Sequence, residues 1–397
     1  MFYALPVLLA AILFILVRSF KNRPLFFILN TTFLLKVIMA YIHQYVRPLG
    51  ASTDEYQFEE DAWNIAANGF GSLFDKNTEI SSGFSWFAGA IYIFIGREPF
   101  AIQAINVFAG MLTVYYVYRI ALFCSNDKRK ALFISSVIAF FPSFSLISSL
   151  FLRDSYLIFL ITYSFYKYLM WLSTGKSFYL LMNILGLVLA SMLHGAMLLF
   201  IGVELILETF KIANYSNVSF SKKFIAYMII AIVVAGTIVY AEKILSNPKI
   251  QIALMLFQND PSVLKRLGGE IIKSEAFISQ YPAPSGNDFF SLIKHTPYRV
   301  FYFLTTPWPT MYGKITDIPR ILDSMLVTIL LILLIIRRKH FVKFKFKNSF
   351  YILFFTFSTM FAFGTFDVLT GQRHRLKIIP VFTAVTLSFV LPRKKVH

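Results

Sequence analysis

The sequence predicts an all-α polytopic membrane protein with about eleven transmembrane helices and no large soluble domain. Three observations lead there. Apolar residues make up 57% of the 397 and charged residues only 15%, with a mean hydropathy of +0.66, whereas a soluble domain carries roughly 25% charge. Apolar runs long enough to cross a bilayer recur along the whole chain. The basic residues sit in the short breaks between those runs: Arg18, Lys21 and Arg23; Lys128, Arg129 and Lys130; Lys211, Lys222 and Lys223; Arg337, Arg338 and Lys339 with Lys343, Lys345 and Lys347; and Arg393, Lys394 and Lys395. Basic residues confined to alternate breaks are the mark of cytoplasmic loops. The net charge of +18 therefore reports topology and attraction to anionic lipid, and nucleic acid is not an expected partner.

Taken in order, residues 1–17 and 25–46 read as the first two spans, joined by the basic turn at 18–23. The first lacks a basic leader and a small-residue cleavage site, so it reads as a retained span. Residues 47–98 form the first exterior loop, with a short amphipathic helix over 55–68 and an apolar, interfacial or re-entrant segment over 83–95. Residues 100–123 return inward, 131–150 go out and 156–172 come back. A tight hairpin of 178–193 and 196–210 has His194-Gly195 at its tip. Residues 224–241 go out once more. A long exterior stretch, 242–317, then carries helix-breaking Pro and Gly clusters and the aromatic segment Pro307-Trp308-Pro309. Residues 318–336, 349–366 and 378–391 complete one integral membrane domain, 1–397, with the N-terminus outside and the C-terminus in the cytosol.

Cys124 is the only cysteine, which excludes an intrachain disulfide and a cysteine metal cluster. The chemistry-bearing candidates are charged residues at the outer ends of spans. Asp54 and Glu55 open an acidic stretch in the first exterior loop, where Asp54, Phe58, Ala62 and Ala66 share one helical face before Gly69. A carboxylate there suits a general base toward a hydroxyl, or a ligand for a divalent cation such as Mg or Mn; it equally suits a helix cap. Arg153 and Asp154 follow Pro142 at the outer end of a span, where charge is costly unless paired or functional. His194 at the hairpin tip is a headgroup candidate or a polar tip residue. Arg373, His374, Arg375 and Lys377 place positive charge outside, against the general trend, and arginine forks match phosphate oxygens. Arg299 is a further phosphate candidate.

These stretches, in this order, resemble the GT-C superfamily of integral membrane glycosyltransferases, which use polyprenyl-linked sugar donors. The likeness rests on Asp54, Phe58 and Ala62 with Gly69; on residues 84–96 followed by 100–106; on Pro142 through Arg153-Asp154; and on Arg373-His374-Arg375 with Pro380. The resemblance implies inverting, nucleotide-independent transfer on the periplasmic face of a bacterial inner membrane. Asp54, with Glu55 as the alternative, takes the place of the family's catalytic acid. Arg373 and Arg375, with Arg153, neutralise the leaving phosphate, and no cofactor beyond a divalent cation is implied. The chain departs from some members in lacking a large C-terminal periplasmic domain, so its acceptor contacts fall to residues 242–297 and the segment near Trp308.

The compact membrane form equally resembles an O-antigen polymerase of the Wzy type. Transfer of a repeat unit from an undecaprenyl-linked glycan is the expectation placed first, with a glycan acceptor, the bilayer and a chain-length regulator as partners. Single-sugar modification of O-antigen or lipid A is the alternative. A lipid-linked glycan flippase is the competing class. It is disfavoured because the charges cluster at the outer face, with only Lys36, Lys167 and Glu204 inside apparent spans.

Overall fold

In the computed structural model the described residues are 2–46, 49, 53–73, 83–214, scattered positions between 224 and 235, 289–311, 318–342, 344–363, 365 and 368–391. They form α1 (Leu5–Ser19), α2 (Arg23–Tyr45), α3 (Thr53–Ala67), α4 (Gly83–Ile95), α5 (Pro99–Ser125), α6 (Lys128–Ala139), α7 (Pro142–Ile147) and α8 (Asp154–Thr174). Then follow α9 (Ser177–Leu193), α10 (Met197–Asn214), α11 (Phe289–Thr305), α12 (Ile318–Ile336), the single turn α13 (Arg338–Phe341), α14 (Lys347–Phe363), α15 (Val368–Leu376) and α16 (Ile379–Val390). Among the described residues there is no strand, and the protein is an all-α polytopic membrane protein.

Local sequence sets the boundaries. Proline opens α1, α2, α5, α7 and α16, where its missing N–H is no loss and its φ suits the first turn. Asp127 caps α6 by accepting from the amides of Arg129 and Lys130 at 2.9 and 3.2 Å. Gly175 ends α8 at φ +66, the left-handed turn that glycine adopts without strain.

Among the described residues three helices, α2, α5 and α12, are long and apolar enough to cross a membrane. The others are shorter or carry polar ends. The 27-residue α5 is buried along most of its surface, with Ile105, Phe108, Leu112, Tyr116 and Arg119 half-buried on one side, and its apolar residues run all round it rather than along one stripe. It packs against α1, α2, α6, α8 and α16, and α16 is itself buried along nearly its whole length. These two helices are the centre of the bundle.

The basic breaks among the described residues gather at one end. Asn22 donates to the Tyr118 hydroxyl at 3.2 Å, and Lys130 Nζ donates to the Leu391 carbonyl at 2.8 Å. Lys167 lies over the Tyr179 ring at 5.5 Å, and Phe344 packs on Phe389 at 4.9 Å. The exits of α2, α9, α11 and α14 and the starts of α5, α8 and α16 lie at the opposite end. There a small second core of Phe58, Ala62, Phe84, Ala88, Tyr92, Ile102, Leu150, Phe151 and Leu152 seats α3 on α4. Gly89 permits that seat: a Cβ on it would come within 2.9 Å of the Ile65 side chain and 3.0 Å of the Ala62 carbonyl.

Several spans differ from the expectation. The crossing expected over 131–150 is broken, because α6 stops at Ala139 and Pro142, lacking an amide hydrogen, starts the separate short helix α7. Residues 289–305, counted within the long exterior stretch, are helical through Pro297, and the expected loop around Gly371 is the helix α15. Most of the expected span over 224–241 and all of 242–288 lie outside the described residues.

Candidate active site

Stretches far apart in sequence meet at the end opposite the basic turns. α3 brings Asp54 and Glu55, the turn after α7 brings Arg153, α8 begins with Asp154, the hairpin tip brings His194, and α15 with its following turn brings Arg373, His374 and Lys377. Arg373 is the hub. Its Nη1 donates to Asp54 Oδ2 at 2.7 Å and its Nη2 to Asp154 Oδ2 at 2.6 Å. Lys377 Nζ lies 3.2 Å from Asp154 Oδ1 and 2.7 Å from His374 Nδ1. The His374 ring meets Phe361 at 4.7 Å and His194 at 5.5 Å.

The two carboxylates on Arg373 differ in one decisive respect. The Asp54 side chain is 44% exposed and that of Asp154 only 2%. Burial pushes the Asp154 carboxyl upward, but the charges of Arg373, Lys377 and Arg153 outweigh it and hold the group well below the usual carboxylate range. Burial works against the charge on Arg373 as well, and Asp154 and then Asp54 more than restore it. Lys377 has no such surplus: burial pushes it down to about 7, with Asp154 opposing and Arg153 and Arg373 adding to the fall. Asp154 is thus a permanent counterion, and Asp54 a surface partner.

Arg153 lies alongside. Its Nη1 donates to the Leu193 carbonyl at 3.0 Å, and its guanidinium stacks over the Phe58 ring at 5.1 Å. Its Nε is buried and makes no hydrogen bond among the described residues.

The other candidates are engaged elsewhere. Glu55 turns inward: its Oε1 accepts from the Phe151 amide at 2.8 Å and from His43 Nε2 at 2.9 Å. His43 Nδ1 accepts from the Leu49 amide at 2.9 Å, which places the ring proton on Nε2. Glu55 therefore ties the exit of α2, the start of α3 and the turn at 150–152 together. Arg375 is fully buried, donating to the carbonyls of Phe303, Leu304 and Thr306 at 3.1, 2.7 and 2.8 Å and to Ser324 Oγ at 2.7 Å. It caps the carbonyls that α11 leaves open. Arg299 likewise closes the end of α14, through the carbonyls of Ala362 at 2.7 Å and Thr365 at 2.8 Å. These contacts leave Arg373 and Arg153 as the arginines facing the cluster.

Several contributors escape sequence reasoning. Asn106 holds the turn before Arg153 by donating to the carbonyls of Leu150 and, at 3.1 Å, Leu152; only its place in the matched order of segments pointed to it. His43 ends an ordinary apolar helix, and Gln372, beside Arg373, carried no signal at all. Among the described residues no group of three His, Cys, Asp or Glu side chains is placed to hold a metal ion, and a guanidinium occupies the space between Asp54 and Asp154. Within the spans, Lys36 Nζ donates to the Phe144 carbonyl at 3.3 Å and Asn183 donates to Glu204 at 2.5 Å.

The described residues form an all-helical membrane bundle with a carboxylate–arginine cluster at one end. Comparison with known proteins agrees: the family model described as dolichyl-phosphate-mannose-protein mannosyltransferase matches residues 79–246, a stretch shorter than half the chain. That is a GT-C family, so the resemblance drawn from the sequence holds, and the protein is a glycosyltransferase of GT-C type that uses a lipid-linked sugar. Neither the curated proteins nor the solved structures yield a match.

Proposed function

We propose that this glycosyltransferase takes its sugar from an undecaprenyl-linked donor and works on the periplasmic face of a bacterial inner membrane, in assembly of a surface polysaccharide. The observation that carries the reading is Arg373 held between an exposed and a buried carboxylate. The side of the membrane is argued from the described basic turns at 18–23, 128–130 and 337–339, which lie at the opposite end and mark the cytoplasm.

The chemistry runs as a single displacement. A donor phosphate approaching Arg373 competes with Asp54, whose ion pair is half in water, and not with Asp154, which is buried. Arg373 then spans phosphate and Asp154, and Arg153 offers its open Nε to the same anion. Asp54, released, accepts the proton of the acceptor hydroxyl. The acceptor oxygen bonds to the anomeric carbon on the face opposite the phosphate as the carbon–oxygen bond to phosphate breaks. The bonding pair leaves on the phosphate, where the two guanidiniums stabilise it.

The matched family, by its description, moves mannose from a lipid monophosphate. That favours transfer of one sugar over joining of repeat units, and polymerisation of an O-antigen stands as the second reading. A glycan ladder on a gel tests both, using a deletion strain complemented with wild type or Asp54→Asn. Loss of one side-branch sugar with normal chain length marks a single-sugar transferase; collapse to single repeat units marks a polymerase. Full restoration of the glycan by Asp54→Asn removes the proposed base.

A further inference from the structure

Arg373 rides on α15, which has nine residues. A helix that short does not hold its own orientation in isolation, so something outside it must aim the guanidinium. Gln372 and Arg375, three residues apart, share the face turned into the bundle, and Arg373 points about 100° away from Gln372 and about 160° away from Arg375. Both inward side chains end on consecutive residues of α12: Gln372 Nε2 donates to Asp323 Oδ2 at 2.9 Å, and Arg375 Nη2 donates to Ser324 Oγ at 2.7 Å.

Gln372 makes a second bond, Nε2 to Ser143 Oγ at 2.8 Å, so both amide hydrogens are committed. Ser143 belongs to α7, the element that leads into the turn carrying Arg153 and Asp154. Asp323 is fully buried within an apolar span, with Gln372 and Ser143 as its hydrogen-bonding partners. A carboxylate in that setting is costly and calls for a role. Gln372 thus joins three elements at one point: the helix of Arg373, the span of Asp323 and the segment that delivers Asp154.

We propose that Gln372, gripped by Asp323 and Ser143, is a positioning residue that aims Arg373 at the lipid phosphate. This rests on the phosphate reading of Arg373 given above. Without the amide, α15 is free to roll about the Arg375 anchor, and the fork no longer meets phosphate and Asp154 together. Misplacement by about 1 Å of a group that orients substrate costs on the order of 100-fold.

The test measures binding of undecaprenyl phosphate and of undecaprenol to the purified full chain, wild type and Gln372→Leu. The wild type binds the phosphate more tightly than the alcohol. In Gln372→Leu that preference falls by about 10- to 100-fold while undecaprenol binding is unchanged, a split that general destabilisation does not produce. Ser143→Ala, which removes one of the two bonds, loses several-fold of the preference and serves where Gln372→Leu does not fold. The proposal is overturned if either variant, folded, keeps the wild-type preference, or if binding of phosphate and alcohol weakens equally. A wild type without any preference overturns the phosphate reading itself, which keeps the two failures apart.

Discussion

Asp54→Asn and Asp154→Asn each remove one negative charge from Arg373, yet the structure assigns them different outcomes. The Asp54 carboxylate is 44% exposed, so its ion pair is screened by water and contributes under about 1 kcal/mol to stability. The Asp154 carboxylate is 2% exposed and receives Arg373 and Lys377 at 2.6 and 3.2 Å. Neutralising it leaves the buried Arg373 guanidinium with only the exposed Asp54 as counterion, and breaking a buried pair of this kind costs about 3–5 kcal/mol. For chemistry the order reverses in kind. Loss of a general base lowers transfer by roughly 100- to 10,000-fold, so Asp54→Asn is a folded protein with almost no turnover. Asp154→Asn is depleted in the membrane and melts several degrees lower. The assay pairs thermal unfolding in detergent with transfer to the glycan acceptor in membranes carrying matched amounts of protein. Should Asp54→Asn melt as low as Asp154→Asn, or transfer at a tenth of the wild-type rate or better, the division into permanent and displaceable partners is wrong.

Arg375→Met uncaps the carbonyls of Phe303, Leu304 and Thr306; the expected result is loss of stability by about 2–4 kcal/mol, read as a lower melting temperature. Retained stability with weakened undecaprenyl phosphate binding would instead place Arg375 at the donor. Lys377, faced by Asp154, Arg153, Arg373 and His374, is neutral in the folded protein above about 7, whereas the unfolded chain keeps it protonated to roughly 10.4. The unfolded state therefore binds more protons across that interval, and this residue makes stability rise with pH by up to about 1.4 kcal/mol per unit. Lys377→Met flattens the rise in melting temperature between roughly pH 7 and 9.5; equal slopes in the two proteins would rule the assignment out. Glu55→Ala releases the Phe151 amide and His43 together, and its expected signature is a lower melting temperature with residual transfer. Complete loss of transfer at unchanged stability would make Glu55 the base.

Much of the bundle is legible from the sequence because a bilayer imposes a crude, long-range pattern. The expected interfacial segment 83–95 is α4, the expected span 318–336 is α12, and 178–193 differs from α9 by one residue. The break in 131–150 was hidden because the apolar run continues across Pro142. The site was legible only in part, for a different reason. Two arginines separated by His374 look alike in a sequence, yet one faces two carboxylates and the other a set of carbonyls. Adjacent Asp54 and Glu55 diverge in the same way, one outward and one inward. Helical phase decides these roles, and phase depends on neighbours that the local sequence does not name. His43, Gln372 and Asp323 belong to that unnamed set.

The anchoring of α3 bears on how quickly the site answers its substrate. Glu55 pins its first turn, and Gly89 lets the middle of the helix sit hard against α4, where Phe58 and Ala62 are buried. A helix held by a buried carboxylate and a packed face is not a lid. Uncovering Arg373 needs only a change of side-chain rotamer at Asp54, a motion of picoseconds to nanoseconds at an exposed position. On the proposed mechanism, turnover is not paced by opening of α3, and raised ionic strength, which loosens an exposed pair and leaves a buried one alone, acts on Asp54 without disturbing Asp154.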